Sequence, residues 1–158
     1  FRESLFEFYR QAPAVVGGGR DKAVAQAEAI LRLDPPRGRV VFATLYVGEG
    51  KLAEAFAPFE EALQTSPDDY FSLYNLGRLA AVTGHAPERG LACLRRCLEL
   101  TPPAGKNVPG HAYVQWRLGQ LQERRKEPAA ARRAFSEAVR LDPTLGAAVE
   151  ALRRLRVD

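Results

Sequence analysis

One pattern of small residues and prolines recurs along the chain and constrains the fold more than any other feature. Ala43 and Gly77 are small residues that lie 34 positions apart, and Gly119 follows Gly77 after 42 more. A second small residue and then a proline follow each of them. One unit of this kind cannot bury its apolar face alone, so the pattern predicts that several units stack. The second small residues are Ala55, Gly90 and Ala131, and the prolines are Pro67, Pro102 and Pro143.

The residues between these markers have the periodicity of α-helices. Large side chains such as Phe59, Leu94 and Phe135 share a helical stripe with the small ones, at offsets of three, four and seven. Alanine, leucine and arginine are good helix formers, and no segment alternates apolar and polar residues as a half-buried strand does. We therefore predict an all-α chain in which small residues let paired helices approach closely and prolines end each second helix.

Three segments carry related motifs. With the 34-residue spacing, they resemble the tetratricopeptide repeat, strongly over 36–158 and in a divergent form over 1–35. The resemblance implies a right-handed α-solenoid of antiparallel helix pairs. The motifs are Gly50-Lys51-Leu52-Ala53-Glu54-Ala55, Tyr74-Asn75-Leu76-Gly77 and Trp116-Arg117-Leu118-Gly119.

On this resemblance the whole chain, 1–158, is one domain. Its amino-terminal helix pair diverges from the others because a long loop, Pro13 to Arg20, separates the two helices. The last helix has a polar outer face, as a solvent-facing capping helix should. The expected parts are the divergent pair at 1–35, repeats at 36–69, 70–104 and 112–145, an inserted loop at 105–111 and the capping helix at 146–157.

The resemblance also implies a function. Tetratricopeptide-repeat proteins bind extended peptides or partner helices on the concave surface formed by the first helix of each pair, so we expect a non-catalytic module with a protein or peptide partner. A structural segment of a longer solenoid and a nucleic-acid-binding accessory protein are the alternatives, and self-association through the solenoid ends stays open. The groove residues implied by position are Arg37, Phe71, Tyr74, Asn75, Arg78, Tyr113, Trp116, Arg117, Gln120 and Arg124.

The aromatic residues of this set have two interpretations. Phe71 and Tyr74 have the same spacing as Tyr113 and Trp116 in the next repeat, so the four rings are expected to line the groove, and such residues are common at binding hot spots. However, Tyr74 and Trp116 also stand where the family often has an aromatic wedged between helices. The arginines of the set are either donors for a carboxylate or plainly solvated.

One specialised form of the groove is incomplete in this sequence. Some family members hold the terminal carboxylate of a chaperone tail with basic and asparagine residues at positions two and six of successive first helices. Arg37, Asn75 and Arg117 suit such positions, but Val41 and Tyr113 replace two of the required donors. A missing donor weakens carboxylate capture.

The charge pattern does not favour nucleic acid or a membrane as the partner. The formal net charge is +4, and acidic residues are interspersed with the arginines, which is typical of a solvated surface. No apolar run reaches the ~20 residues that a membrane span needs. The arginine pairs that would best support nucleic-acid binding are Arg95-Arg96, Arg124-Arg125, Arg132-Arg133 and Arg153-Arg154.

We predict no enzymatic activity, no cofactor and no metal site. His85 and His111 lie in predicted loops, without a nucleophile near them in sequence. Cys93 and Cys97 are four residues apart on one predicted helix, which suits buried packing better than a disulfide or a metal site. The glycines at 17–19 lack the Gly-Lys-Ser/Thr ending of a nucleotide loop and are expected to form a connection.

The sequence contains no methionine and begins at Phe1 inside a predicted helix, which indicates a fragment or a processed product. The segments 8–13 and 17–23 resemble a poorly characterised group of bacterial tetratricopeptide proteins, many of which are exported. This resemblance favours an exported or periplasmic location over a cytoplasmic one, although no signal sequence is visible.

Overall fold

The computed structural model describes residues 1–105 and 107–155, and all regular secondary structure in this part of the chain is helical. It contains one short 3-10 helix at Ala14–Val16 and no β-strand, so the predicted all-α class is confirmed. The α-helices are α1 (Arg2–Gln11), α2 (Arg20–Leu33), α3 (Pro35–Gly48), α4 (Leu52–Thr65), α5 (Tyr70–Thr83), α6 (Pro87–Glu99), α7 (His111–Arg124), α8 (Pro128–Leu141) and α9 (Gly146–Arg154).

Proline and glycine set the helix ends. Pro35, Pro87 and Pro128 occupy the first helical position, where the missing N–H costs no hydrogen bond. Gly84 ends α5 with a φ of 74°, a left-handed conformation that glycine adopts without steric cost. The prolines expected to end second helices lie just beyond α4, α6 and α8, as the spacing predicted.

The chain divides into two compact units, Phe1–Pro58 and Phe59–Asp158, with the boundary inside α4. In the first unit α2 packs against both α1 and α3. Gly38 of α3 allows a close approach there, because an added Cβ would lie 2.3 Å from Cα of Leu31. The buried cluster of this unit consists of Phe6, Ala23, Ala27, Ile30, Val41 and Leu45.

The glycine segment of the first unit is a packed turn. An added Cβ on Gly18 would meet the carbonyl oxygen of Ala12 at 1.9 Å. The amides of Gly18 and Gly19 donate to the carbonyls of Pro13 and Tyr9, at 3.1 and 2.9 Å. These two amides are therefore engaged within the chain, and the segment works as the connection that the sequence predicted.

The second unit repeats one packing arrangement. α5 packs against α6 and α7, and α7 packs against α8. An added Cβ on Gly77 would lie 2.2 Å from Cγ of Leu94, and one on Gly119 would lie 2.5 Å from the Phe135 ring. Both glycines thus face the large residue of the following helix, which confirms the pairing of small and large residues that the spacing predicted.

Helix α9 follows the second of these pairs and packs on α8. Ala148, Ala151 and Leu152 are buried, while Arg153 and Arg154 are exposed. The predicted helix extended to 157, and its last two positions lie outside the described residues. No helix of the described residues is long and apolar enough to cross a membrane.

Candidate functional site

A shallow pocket opens between α5 and α7, which are the first helices of two successive helix pairs in the second unit. Tyr74 of α5 and Tyr113 of α7 form two of its walls, so two residues predicted to line a groove meet at one place. The loop between α6 and α7 contributes Asn107, Val108 and Pro109. The volume is about 240 Å³, enough for one side chain rather than a small-molecule cofactor.

The loop that forms the third wall is held in place at both of its ends. The hydroxyl of Tyr70, at the start of α5, donates to the carbonyl of Pro109 at 2.8 Å. His111 is the first residue of α7 rather than part of the loop, and its Nε2 lies 3.1 and 2.9 Å from the carbonyls of Cys97 and Leu100. Because both acceptors are carbonyls, Nε2 carries the proton and binds the end of α6. These contacts fix Pro109, one of the three loop residues that line the pocket.

The predicted aromatic groove residues differ in how far their rings are buried. Tyr74 is only 5% exposed, and Trp116 packs against Ala112, Ala138 and Phe135 in the core. Tyr113 is 41% exposed, and its ring meets that of Trp116 edge-on at 6.3 Å. Tyr74 and Trp116 thus pack mainly between helices, whereas Tyr113 presents its ring to solvent.

The ring of Phe71 lies 6.4 Å from that of Phe59 in α4. Phe71 is half-buried, so it joins the packing of the second unit while keeping one part at the surface.

One helical turn beyond the pocket, α5 and α7 each carry an arginine held by an amide side chain. Arg78 Nε donates to Oδ1 of Asn75 at 3.2 Å, and Arg117 Nη1 donates to Oε1 of Gln120 at 2.9 Å. The guanidinium of Arg117 also lies over the Trp116 ring, 4.0 Å from its centroid. Burial lowers the pKa of Arg78, and the nearby charge of Arg117 lowers it further.

The structure gives the remaining two predicted groove residues other contacts. Arg124 donates from Nε and Nη2 to the carbonyls of Ala81 and Val82, both at 2.6 Å, and so caps the carboxyl end of α5. Arg37 belongs to the first unit, where it forms an ion pair with Glu3. The residues that the structure brings together are therefore those of α5 and α7.

The comparison with known families agrees with the repeated packing of Gly77 and Gly119. A family model described as tetratricopeptide repeat matches residues 74–146, which hold both glycines and the large residues that face them. Residues 74–146 therefore match the tetratricopeptide repeat. Tetratricopeptide repeats generally mediate protein–protein interactions, and proteins of this fold are generally non-catalytic scaffolds.

A solved structure gives the same result for the fold. The structure from a functional characterisation of PilF of Pseudomonas aeruginosa aligns with 98% of this chain and 68% of its own, with a TM-score of 0.66. The sequences are 19% identical, so this likeness shows the fold alone, an α-solenoid of helix pairs. No curated protein matches the sequence.

Four arginines of the pairs that would best support nucleic-acid binding form ion pairs with carboxylates. Arg96 binds Asp68 at 2.8 Å, and Arg154 binds Glu123 at the same distance. Arg125 pairs with Glu88 and Glu127, and Arg153 pairs with Glu150. These four arginines already hold acids and so offer a phosphate backbone little free charge.

The described residues contain no group of three or more histidine, cysteine or acidic side chains placed to hold a metal ion. Cys93 and Cys97 are both free and buried in α6, as the sequence predicted for packing residues. Burial raises the pKa of the Cys93 thiol to about 11 and that of Cys97 to about 12.

We expect both thiols to be inert in the folded protein. Thiolate is the reactive form, and a raised pKa leaves very little of it at pH 8. Treatment with a thiol-specific disulfide reagent at pH 8 should modify neither cysteine until denaturant unfolds the chain, after which both should react. Rapid modification of the native protein, at the rate of an unfolded control, would contradict this.

Sequence reasoning missed the loop residues that complete the pocket. Proline and glycine marked the segment as a loop, but the helical periodicity says nothing about where a loop lies. The one available signal was Tyr70 at the start of α5. The hydroxyl of a buried tyrosine usually needs a hydrogen-bond partner, and here the partner is in the loop.

Proposed function

We propose that this chain is a non-catalytic interaction module whose second unit binds a peptide of a partner protein in the groove between α5 and α7. The observation that carries the proposal is the pocket where Tyr74 and Tyr113 meet the 107–109 loop. A pocket that admits one side chain, with an exposed aromatic ring at its rim, suits an anchor residue of a peptide.

We further propose that the interaction surface is built from the repeats at 70–104 and 112–145, with the inserted loop at 105–111 as an added wall. In this proposal the loop serves recognition, because it supplies three of the five pocket residues. The partner is an extended peptide, since the pocket and the arginines beyond it lie at separate points along the same two helices.

A structural segment of a longer solenoid would use the same fold without needing a groove. The two functions differ at Tyr113, whose ring is exposed and lies outside the buried cores of the second unit. A purely structural role predicts that removing this ring changes no binding.

We expect the Tyr113→Ala variant to fold normally and to lose peptide binding. Peptides would be selected from a random phage-displayed library on the full chain, and their dissociation constants measured by fluorescence anisotropy. Loss of an exposed aromatic anchor should weaken binding about tenfold or more, because such anchors are binding hot spots.

Leu141→Ala is the matched control, since Leu141 is 42% exposed but lies on α8, away from the pocket. It should bind the selected peptides as the original chain does. If no peptide is enriched, or if the enriched peptides bind Tyr113→Ala and the original chain equally well, the proposed groove is wrong.

A further inference from the structure

The pocket contains a tyrosine hydroxyl that has no partner within the chain. Tyr74 is almost fully buried, and its hydroxyl makes no hydrogen bond with residues 1–105 or 107–155. The hydroxyl oxygen is nevertheless not among the fully enclosed side-chain atoms that lack a partner, so it keeps contact with solvent. It therefore belongs to the small part of Tyr74 that remains open, and Tyr74 lines the pocket.

The pocket changes from apolar to polar with depth. Tyr113 is the more exposed of its two tyrosines and forms the rim, where it offers the surface of an aromatic ring. Val108 and Pro109 add apolar side chains to the wall. Tyr74 is the less exposed and lies deeper. A side chain that enters thus meets apolar surface first and the Tyr74 hydroxyl last.

The open hydroxyl limits which side chains bind well. In the free protein water solvates it, and a side chain that fills the pocket displaces this water. A purely apolar side chain would leave the hydroxyl without any hydrogen bond, which weakens binding. The occupant must therefore carry a hydrogen-bonding group at its far end.

The lining also indicates that this group is uncharged. None of the described residues that line the pocket is acidic or basic. A charged group would lose its hydration there without gaining an opposite charge. The hydroxyl of Tyr74 and the side-chain amide of Asn107 are neutral groups, and each of them both donates and accepts.

Tyrosine is the side chain that combines these properties. Its ring can pack against the rings of Tyr74 and Tyr113, and its neutral hydroxyl lies at the far end of that ring. The side chain is rigid, so it loses little conformational entropy when it binds. Glutamine also ends in a neutral polar group, but its flexible chain loses more entropy and offers no ring.

We propose that the pocket binds a tyrosine side chain of the partner peptide, whose phenol hydroxyl forms a hydrogen bond with the hydroxyl of Tyr74. This inference rests on the proposed function and names the anchor residue of the peptide. Tyr74 is then the residue that selects tyrosine over phenylalanine, because phenylalanine would fill the same space and leave the Tyr74 hydroxyl unpaired.

The test uses the peptides selected on the full chain, synthesised with acetylated amino and amidated carboxyl ends. Replacing each peptide residue in turn by alanine locates the anchor, which we expect to be a tyrosine. Replacing this tyrosine by phenylalanine should weaken binding to the original chain about tenfold, measured by fluorescence anisotropy. Tyr74→Phe should weaken the tyrosine peptide to a similar degree and bind the phenylalanine peptide as the original chain does, because the two hydroxyls act as a pair.

Tyr46→Phe is the matched control, because it removes a tyrosine hydroxyl from α3, where the ring stacks on that of Phe42. It should bind both peptide forms as the original chain does. The Tm of Tyr74→Phe gives a second measurement. It should stay the same or rise, because the lost hydroxyl has no partner in the folded chain. A Tm lowered by more than about 4 °C would assign the hydroxyl a structural role and overturn its part in binding.

The outcomes separate this inference from the proposed function. If the peptides depend on Tyr113 but their anchor is not tyrosine, or if the tyrosine and phenylalanine forms bind equally well, the tyrosine site is wrong and the groove stands. If Tyr74→Phe weakens both forms equally, the two hydroxyls do not meet and the inference is overturned. If no selected peptide depends on Tyr113, the groove fails and the tyrosine site with it.

Discussion

The Phe135→Ala variant is expected to lose about 3–5 kcal/mol of unfolding free energy, which is the usual cost of removing a fully buried phenylalanine. Phe135 has no exposed surface, and its ring lies against Gly119 of α7 and in the cluster with Ala131, Ala151 and Leu152. The change should lower Tm by roughly 6–20 °C at this chain length. Chemical denaturation followed by circular dichroism at 222 nm measures it.

Leu141→Ala serves as the control for this prediction, because it truncates an exposed side chain at the end of the same helix. It should change the unfolding free energy by less than about 1 kcal/mol. Equal losses in the two variants would mean that Phe135 does not fill the core of the second unit.

The Gly119→Val variant is expected to lose about 2–3 kcal/mol, since overpacking a tight contact forces side chains or backbone to move. An added Cβ would lie 2.5 Å from the Phe135 ring, and valine adds two methyl groups beyond it. Gly77→Val should lose a similar amount against Leu94, because the two glycines occupy equivalent places. The same denaturation measurement applies to both.

Two further variants show whether the close contact is the cause. Gly146→Val makes the same change at a glycine whose Cβ would meet no atom within 4 Å, and it should be nearly neutral. In a Phe135→Leu background the cost of Gly119→Val should fall, because residues in contact do not add independently. An unchanged cost in that background would place the strain elsewhere.

The fold was predictable because its cause is local in sequence. A stripe of small and large residues at fixed offsets determines which faces of two helices meet, and the facing of Gly119 and Phe135 follows from that stripe. The prolines at the first and just past the last helical positions act on their own backbone, so helix ends were predictable to within a few residues.

The candidate site was predictable only in part, because several of its contacts join distant positions. Position within the repeat identified Tyr74 and Tyr113, which do meet at one pocket. It did not reveal that Arg124 would cap α5 or that Arg37 would pair with Glu3. These contacts depend on side chains from other helices, and helical periodicity carries no information about which long side chain reaches which partner.

The burial of Arg78 and Arg117 likewise could not be predicted from the sequence. The sequence shows that α5 contains no acid, but not that Arg78 and Arg117 are partly buried. Burial is what leaves one nitrogen of each guanidinium group without an acceptor.

The most direct test of the groove uses the indole N–H resonance of Trp116, the only tryptophan of the chain. Trp116 lies between the Tyr113 ring and the Arg117 guanidinium, so a peptide in the groove must change its surroundings. In a titration of the isotope-labelled chain with a selected peptide, this NMR signal should shift and saturate at the dissociation constant found by anisotropy. A peptide that binds with that affinity and leaves the Trp116 signal unmoved would contradict the account.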